Sequence, residues 1–273
     1  MKLALYIRHE KLWQDERCRR LEKALADSDG RFSVFRLAPG AVLPEDCDMV
    51  LSIGGDGTFL SAAALLGGRN IPLLGVNLGR IGFLSENSPE DAVARLVSGA
   101  YRIENRSLLQ VEWPSSEEAP QWPYALNEVA LHRQGAAMLG VDVRVDGVEL
   151  PTYWADGLIV STSSGSTAYS LSVGGPIVMP EAKVWILSPI APHNLNVRPL
   201  VIPDSSMLEI SFRARDSRVG LSLDNRLYSL PEDTVVRISM ARFSIRRVRL
   251  DGSSFIGALT DKLYWGEDLR NNK

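Results

Sequence analysis

Residues 51–68 read LSIGGDGTFLSAAALLGG. A short apolar run meets two glycines, an aspartate and a third glycine. A stretch of small and apolar residues follows, closed by Gly67-Gly68. The order is strand, tight turn, helix. Glycines lack a Cβ, so backbone can approach a ligand closely there and adopt positive φ. The start of the next helix offers unpaired N–H groups and the positive end of a dipole, which suits an anion such as phosphate. The loop lacks the Lys-Ser/Thr ending of a P-loop. It also fails the G-x-G-x-x-G pattern, because position 60 is leucine. Asp56 cannot face a bare phosphate. It can contact a metal ion, bind a hydroxyl or take a proton from one, and all three suit transfer of a phosphoryl group to a hydroxyl. The plain alternative is a tight Asp-Gly turn with Asp56 as a local cap.

Working outward, the first hundred residues alternate strand and helix signals. Leu3–Ile7, Phe32–Leu37, Met49–Ile53 and Ile71–Val76 are apolar runs. Residues 10–28 and Thr58–Leu66 read as helices, and Ser88-Pro89-Glu90-Asp91 is a capped helix start that Gly99 closes. That alternation predicts a parallel sheet covered on both faces. After about residue 101, runs such as SLLQVEW, VDVRVDGVEL, LIVST, KVWILSP, MLEISF and FSIRRVRL follow at short spacing, with Asp146-Gly147 as a hairpin turn. Helix signals nearly vanish until FIGALTDKLYWGEDL. The expected fold class is an α/β N-terminal domain with a Rossmann-like parallel sheet plus a C-terminal β-sandwich-like domain. The expected boundaries are 1–104 joined by the 254–273 tail, and 105–253. Ser115–Pro120 is the expected mobile loop.

Composition narrows the partners. With 45% hydrophobic and 23% charged residues among 273, the chain can build a sizeable core, and a net charge of −3 argues against nucleic acid. MKLALYIRHEKLW has too short an apolar run for a signal peptide and reads as a first strand. No stretch is long enough to span a membrane. Cys18 and Cys47 form no motif and are expected as buried free thiols in a reducing cytoplasm. His9, His132 and His193 are scattered, without metal-ligand spacing.

Two further motifs follow. Asn127-Glu128 lies in the strand-like YALNEVALH. An amide can read an adenine edge and a carboxylate can accept ribose hydroxyls. A solvated polar pair is the other reading, because neighbours on a strand face opposite ways unless it ends there. Residues 156–180 read DGLIVSTSSGSTAYSLSVGGPIVMP. A buried strand enters a run of small hydroxyls, and Tyr169 adds a flat ring for stacking.

GGDGT at 54–58 resembles the signature of the kinase superfamily that contains NAD, diacylglycerol and sphingosine kinases and, more distantly, phosphofructokinases. With the Asn-Glu pair, the D-G…G-S-T-A-Y stretch and GGP in order, the chain resembles the bacterial NAD kinase family from about residue 48 onward. APHNLNVRPLV and the tail around KLYWGEDLR strengthen the likeness. The resemblance implies phosphorylation of the 2′-hydroxyl of the adenosine ribose of NAD, with ATP and a divalent metal such as Mg2+, giving NADP. It makes Asp56 the proton acceptor, with Gly55 and Gly57 beside it. Asn127 and Glu128 would bind the dinucleotide, and Asp156 the nicotinamide end. Ser164, Thr167, Ala168, Tyr169 and Ser172 would line the pocket, and Phe83 would lie near the adenine. It further implies a cytoplasmic homotetramer or homodimer.

Two positions depart from the family. Trp154 stands where many members carry arginine, which opens the question of NAD against NADH. LSLDNRL at 221–227 replaces an Asp-Gly-Gln-like segment, making Asp224, Asn225 and Arg226 candidate site residues. Competing readings are a lipid or other small-molecule hydroxyl kinase sharing the loop, and a catalytically silent nucleotide-binding regulator.

Overall fold

A computed structural model of the chain describes residues 1–79, 82–114, 120–214 and 218–263. The Ser115–Pro120 loop therefore falls outside the described residues except for Pro120, as does the tail expectation beyond Leu263. The chain forms two compact units, one made of residues up to Asn105 together with those from Ile245 on, the other of Arg106–Ser244.

The first unit carries strands β1 (Lys2–Tyr6), β2 (Ser33–Leu37), β3 (Met49–Ile53), β4 (Leu73–Val76) and β5 (Tyr101–Arg106). The helices are α1 (Glu16–Ala26), α2 (Asp56–Leu66) and α3 (Pro89–Ser98). A short 3-10 turn, Glu10–Gln14, precedes α1 and Asp15 caps it, so the helical pattern of residues 10–28 splits in two. In α3 the Ser88 hydroxyl accepts from the Asp91 N–H and Gly99 closes the helix in the left-handed conformation. The sheet runs β2-β1-β3-β4, then Ile245–Leu250, then β5. β1 pairs in parallel with both β2 and β3, and β3 with β4. Every residue of β3 is buried, as expected for a parallel strand covered on both faces. Leu3, Leu5, Met49, Leu51 and Ile53 join α1 and α3 in one core, while α2 packs on β3 and β4.

The strand order reverses direction between β1 and β3. In open α/β sheets ligands bind at the carboxyl ends of strands where the order reverses. The Gly54–Asp56 loop leaves the carboxyl end of β3 at that point.

Ile245–Leu250 departs from expectation. Its alternating FSIRRVRL pattern placed it in the second domain, but it pairs in parallel with β4. Val248 and Leu250 enter the first unit's apolar core, and Arg247 and Arg249, on the other face, are equally buried. Helix Phe255–Leu263 follows it in the same unit.

The second unit contains two antiparallel sheets. One is ordered β10-β9-β15-β18-β6-β7 with β11 added on β9. It comprises β6 (Leu109–Glu112), β7 (Tyr124–Ala125), β9 (Leu139–Val145), β10 (Val148–Glu149), β11 (Tyr153–Ala155), β15 (Leu208–Arg213) and β18 (Val236–Met240). The other is ordered β14-β13-β12-β8-β16-β17. Its strands are β8 (Glu128–Arg133), β12 (Gly157–Thr162), β13 (Val184–Ile190), β14 (Leu200–Pro203), β16 (Arg218–Leu223) and β17 (Arg226–Pro231). Residues of both sheets form one apolar core around Val129, Leu131, Val141, Trp185 and Ile210, the arrangement of a sandwich. Asp146 and Gly147 both take positive φ and turn β9 into β10, as Asp-Gly hairpins do.

Candidate active site

The glycine loop divides its labour. Gly54 takes φ 146°, and a Cβ there would meet the Thr58 hydroxyl at 2.5 Å, so this glycine is required by the turn itself. Gly55 and Gly57 are different. Among the described residues, a Cβ on Gly55 would meet nothing within 4 Å, and one on Gly57 only Arg8 Nη1 at 3.7 Å. The chain's own packing does not demand glycine at either position. The ground above them is open at the start of α2, with the Arg8 guanidinium beside it.

Asp56 is the first residue of α2 and is held from a second segment. Its Oδ2 accepts from the Phe83 N–H at 2.8 Å, and its Oδ1 from the N–H groups of Leu84 (3.0 Å) and Ser85 (2.8 Å). Gly82 makes this approach possible, because a Cβ there would lie 1.9 Å from Oδ1. The Phe83 ring is tilted against Phe255 with centroids 6.0 Å apart, and Lys262 Nζ sits 4.0 Å from its centroid. Burial lowers the Lys262 ammonium to about 8, against the opposing pull of Asp56 and Glu86. Beneath this segment lies a buried ion cluster. Arg247 pairs with Glu86 at 2.9 Å and Glu104 at 3.7 Å, and Arg249 with the same two acids at 3.5 and 3.3 Å.

In the second unit Asn127 and Glu128 are both buried. β8 begins at Glu128, so the rule that adjacent strand residues face apart does not separate them. Asp224 sets their conformation. Its carboxylate accepts from the N–H groups of Leu126 (3.0 Å), Asn127 (2.8 Å) and Glu128 (3.3 Å). Arg226 lies 3.8 Å from Asp224 and donates to the carbonyls of Trp122 and Tyr124. Asn127 Oδ1 and Glu128 Oε2 are buried with no hydrogen-bond partner among the described residues. Orphaned buried acceptors are rare and need an explanation, and a ligand's donors supply one. Burial first, then the Asp224 charge, pushes the Glu128 carboxyl up to about 8, against the Tyr169 backbone amide.

The small-hydroxyl run splits in two. Thr162, Ser163, Ser166 and Ser170 are buried and bind the fold. Thr162 Oγ1 donates to the Leu126 carbonyl at 2.6 Å and accepts from the Gly165 N–H. Ser166 exchanges bonds with Val178, and Ser170 shares one with Ser188. Ser164, Thr167, Ala168, Tyr169 and Ser172, the five expected pocket residues, are the partly or fully exposed members. Gly165 lies against Asn127, where a Cβ would meet the Asn127 carbonyl oxygen at 2.1 Å, so the loop and the Asn-Glu pair form one surface. The Tyr169 ring stacks on His132, with centroids 5.6 Å apart and 18° between planes.

Three positions read differently in three dimensions. Asp156 is already bound by the Arg133 guanidinium at 2.6 and 3.3 Å. Asn225 is exposed at the turn into β17, while its neighbour Asp224 turns inward. The Trp154 ring packs against its strand partner Gly140, where a Cβ would lie 2.8 Å from the ring, with the Arg213 guanidinium over the ring at 5.3 Å. Arg8 and Arg133 carry no spacing signal, His132 reads only as one of three scattered histidines, and Lys262 only as part of the family-like tail.

A doubly wound α/β unit with an acid on its glycine loop, followed by an antiparallel β unit with orphaned acceptors, defines a nucleotide-dependent phosphotransferase. The family follows from comparison. The ATP-NAD kinase N-terminal domain model matches residues 10–100 and the C-terminal domain model residues 126–250. The chain is 39% identical over 254 residues to the NAD kinase of Flavobacterium psychrophilum, covering 91% of this chain and 85% of that one. It is 44% identical over 232 residues to the NAD kinase of Porphyromonas gingivalis, covering 84% and 80%. The crystal structure of an NAD kinase from Archaeoglobus fulgidus in complex with ATP superposes with a TM-score of 0.81 at 29% identity, covering 97% and 99%. Yeast NADH kinase complexed with NADH shares the fold, with a TM-score of 0.86 at 24% identity, covering 100% of this chain and 90% of that one. The chain belongs to the ATP-NAD kinase family.

Proposed function

We infer that Asp56 takes the proton of the acceptor hydroxyl and that the Asn127–Glu128 and 164–172 surface binds the dinucleotide. The reaction is that of the family: ATP phosphorylates the 2′-hydroxyl of the adenosine ribose of NAD, giving NADP. The ribose oxygen attacks the γ-phosphorus, the bond to the ADP oxygen breaks, and the hydroxyl proton passes to a base.

The observation that carries this role is the geometry at Asp56. Each carboxylate oxygen has two lone pairs. Among the described residues, Oδ1 uses both on Leu84 and Ser85, whereas Oδ2 accepts from Phe83 alone. One lone pair at Oδ2 stays available for a hydroxyl proton, in a residue flanked by the open positions Gly55 and Gly57. Asn127 Oδ1 and Glu128 Oε2 support the dinucleotide half.

The described residues offer no group of three or more His, Cys, Asp or Glu side chains that could hold a metal. Asp56 is engaged by backbone N–H groups and Glu86 by arginines. They form no dedicated all-protein cage, which accords with Mg2+ entering on the ATP phosphates, its usual mode with few protein ligands. Assembly into a homodimer or homotetramer is the state that the family resemblance implies for this chain. No described helix is long and apolar enough to cross a membrane, which is compatible with a cytoplasmic enzyme.

The test is purified protein with ATP, Mg2+ and NAD, followed for NADP. Asp56→Asn should lower kcat by about 10²-fold or more, the scale of a lost general base, with NAD affinity retained. Unchanged turnover would make Asp56 only a latch for the 82–85 segment.

A further inference from the structure

The segment Gly82–Ser85 supplies all three N–H donors to Asp56, yet it belongs to no helix or strand. The Gly82 N–H closes a turn on the Ser85 carbonyl, which Asn77 Nδ2 also reaches at 3.0 Å, and the C-terminal part of the first unit holds two of the other carbonyls. Lys262 Nζ donates to the Gly82 carbonyl and sits over the Phe83 ring. Arg247 Nη2 donates to the Phe83 carbonyl at 3.2 Å. The carbonyls of residues 82 and 83 are thus tied to cations, while the N–H groups of residues 83–85 are tied to Asp56. A half-buried ammonium is costly where an apolar side chain would pack without penalty. Its cost is met by a carbonyl, an aromatic face and the nearby Asp56 charge.

We propose that Lys262 is a positioning residue for phosphoryl transfer: it fixes Gly82 and Phe83, and through them holds the Asp56 carboxylate with Oδ2 aimed at the acceptor hydroxyl. This rests on Asp56 as the proton acceptor. Lys262 acts on the reaction through the segment and contacts neither substrate. The charged groups that face it are Asp56, Glu86, Arg247 and Asp261, and with them its ammonium loses its proton near pH 8.

The experiment is steady-state kinetics on the full chain for Lys262→Met, Lys262→Arg, Asp56→Asn and the Asp56→Asn/Lys262→Met double variant, across pH 6.5–9.5, with NAD and ATP varied. Lys262→Met should lower kcat by about 10- to 100-fold, the scale of a small misplacement at a reacting centre, with both KM values within about threefold. Lys262→Arg should restore most of the rate and remove the fall in wild-type kcat above about pH 8, because a guanidinium stays charged. The double variant should be no slower than Asp56→Asn alone, because a group acting through Asp56 has nothing left to position. A tenfold rise in KM for ATP would overturn the proposal by making Lys262 a phosphate ligand. So would a double variant whose losses multiply, or an arginine variant no better than methionine. Full turnover in Asp56→Asn would remove the base assignment and this inference together, whereas multiplying losses with a crippled Asp56→Asn would remove this inference alone.

Discussion

Asp224→Ala tests the second unit most sharply. The substitution removes the acceptor for three backbone N–H groups, at 3.0, 2.8 and 3.3 Å. A buried donor left unpaired costs about 1–3 kcal/mol, so the two better bonds alone amount to about 2–6 kcal/mol. Alanine must also hold the left-handed φ of 51°, at a further cost of about 1 kcal/mol. Two effects offset this. A buried carboxylate is removed, and with it the repulsion that Glu128 feels. Arg226 loses a partner at 3.8 Å but keeps the Trp122 and Tyr124 carbonyls. The expected net loss is about 2–4 kcal/mol, centred on residues 124–128. Urea unfolding reads the loss, and calorimetric titration with NAD reads the aim of Asn127 and Glu128, expected to weaken at least about tenfold. Asp224→Asn, which tolerates the turn and keeps one acceptor oxygen, should fall between. Wild-type urea stability and wild-type NAD affinity in Asp224→Ala would refute the view that this carboxylate builds the pocket.

Glu128 predicts a pH signature. Its carboxyl rises to about 8 in the fold, so the native state holds a proton that the unfolded chain releases from about pH 4.5. The stabilisation is complete below that pH and is lost as pH climbs to about 8, at up to about 1.4 kcal/mol per unit. Glu128→Gln should flatten the urea midpoint across that window, and parallel curves for the two proteins would exclude a raised carboxyl. A pair of glycine substitutions separates the halves of the reaction. Gly82→Ala pushes a methyl onto the Asp56 carboxylate and should cut kcat with NAD affinity unchanged. Gly165→Ala meets the Asn127 carbonyl, which is backbone and cannot swing away, and should abolish NAD binding. The opposite pattern would reverse the assignment of the two motifs.

Much of the fold was legible because it follows from local rules. Met49–Ile53 reads as a strand buried on both faces, Ser88-Pro89 and Gly99 bound α3, and Asp146-Gly147 makes a hairpin. Each needs only residues within a few positions. Ile245–Leu250 was misplaced for the converse reason. Period-2 alternation says that a strand has two faces, not which sheet adds it, and arginines at 247 and 249 carry no local sign of burial. Only the partners Glu86 and Glu104, about 145–165 positions earlier in the chain, make it a buried one.

The sequence by itself determined the chemistry. Gly54–Thr58 reads as a phosphate-binding turn, and that loop followed by Asn127-Glu128 and the Thr162-to-Tyr169 run resembles the NAD kinase family, which is how the acceptor could be named. Tertiary structure alone decided which atoms remain available. It ties Asp56 Oδ1 and leaves room at Oδ2, buries one half of the serine run as scaffold, and turns Asp224 rather than Asn225 toward the Asn-Glu pair. It also brings Lys262 to a segment 180 positions away. A motif specifies functional groups, but a hydrogen bond satisfied by a distant backbone leaves no trace in local spacing. The division between bound and available lone pairs therefore emerges only when the chain has folded.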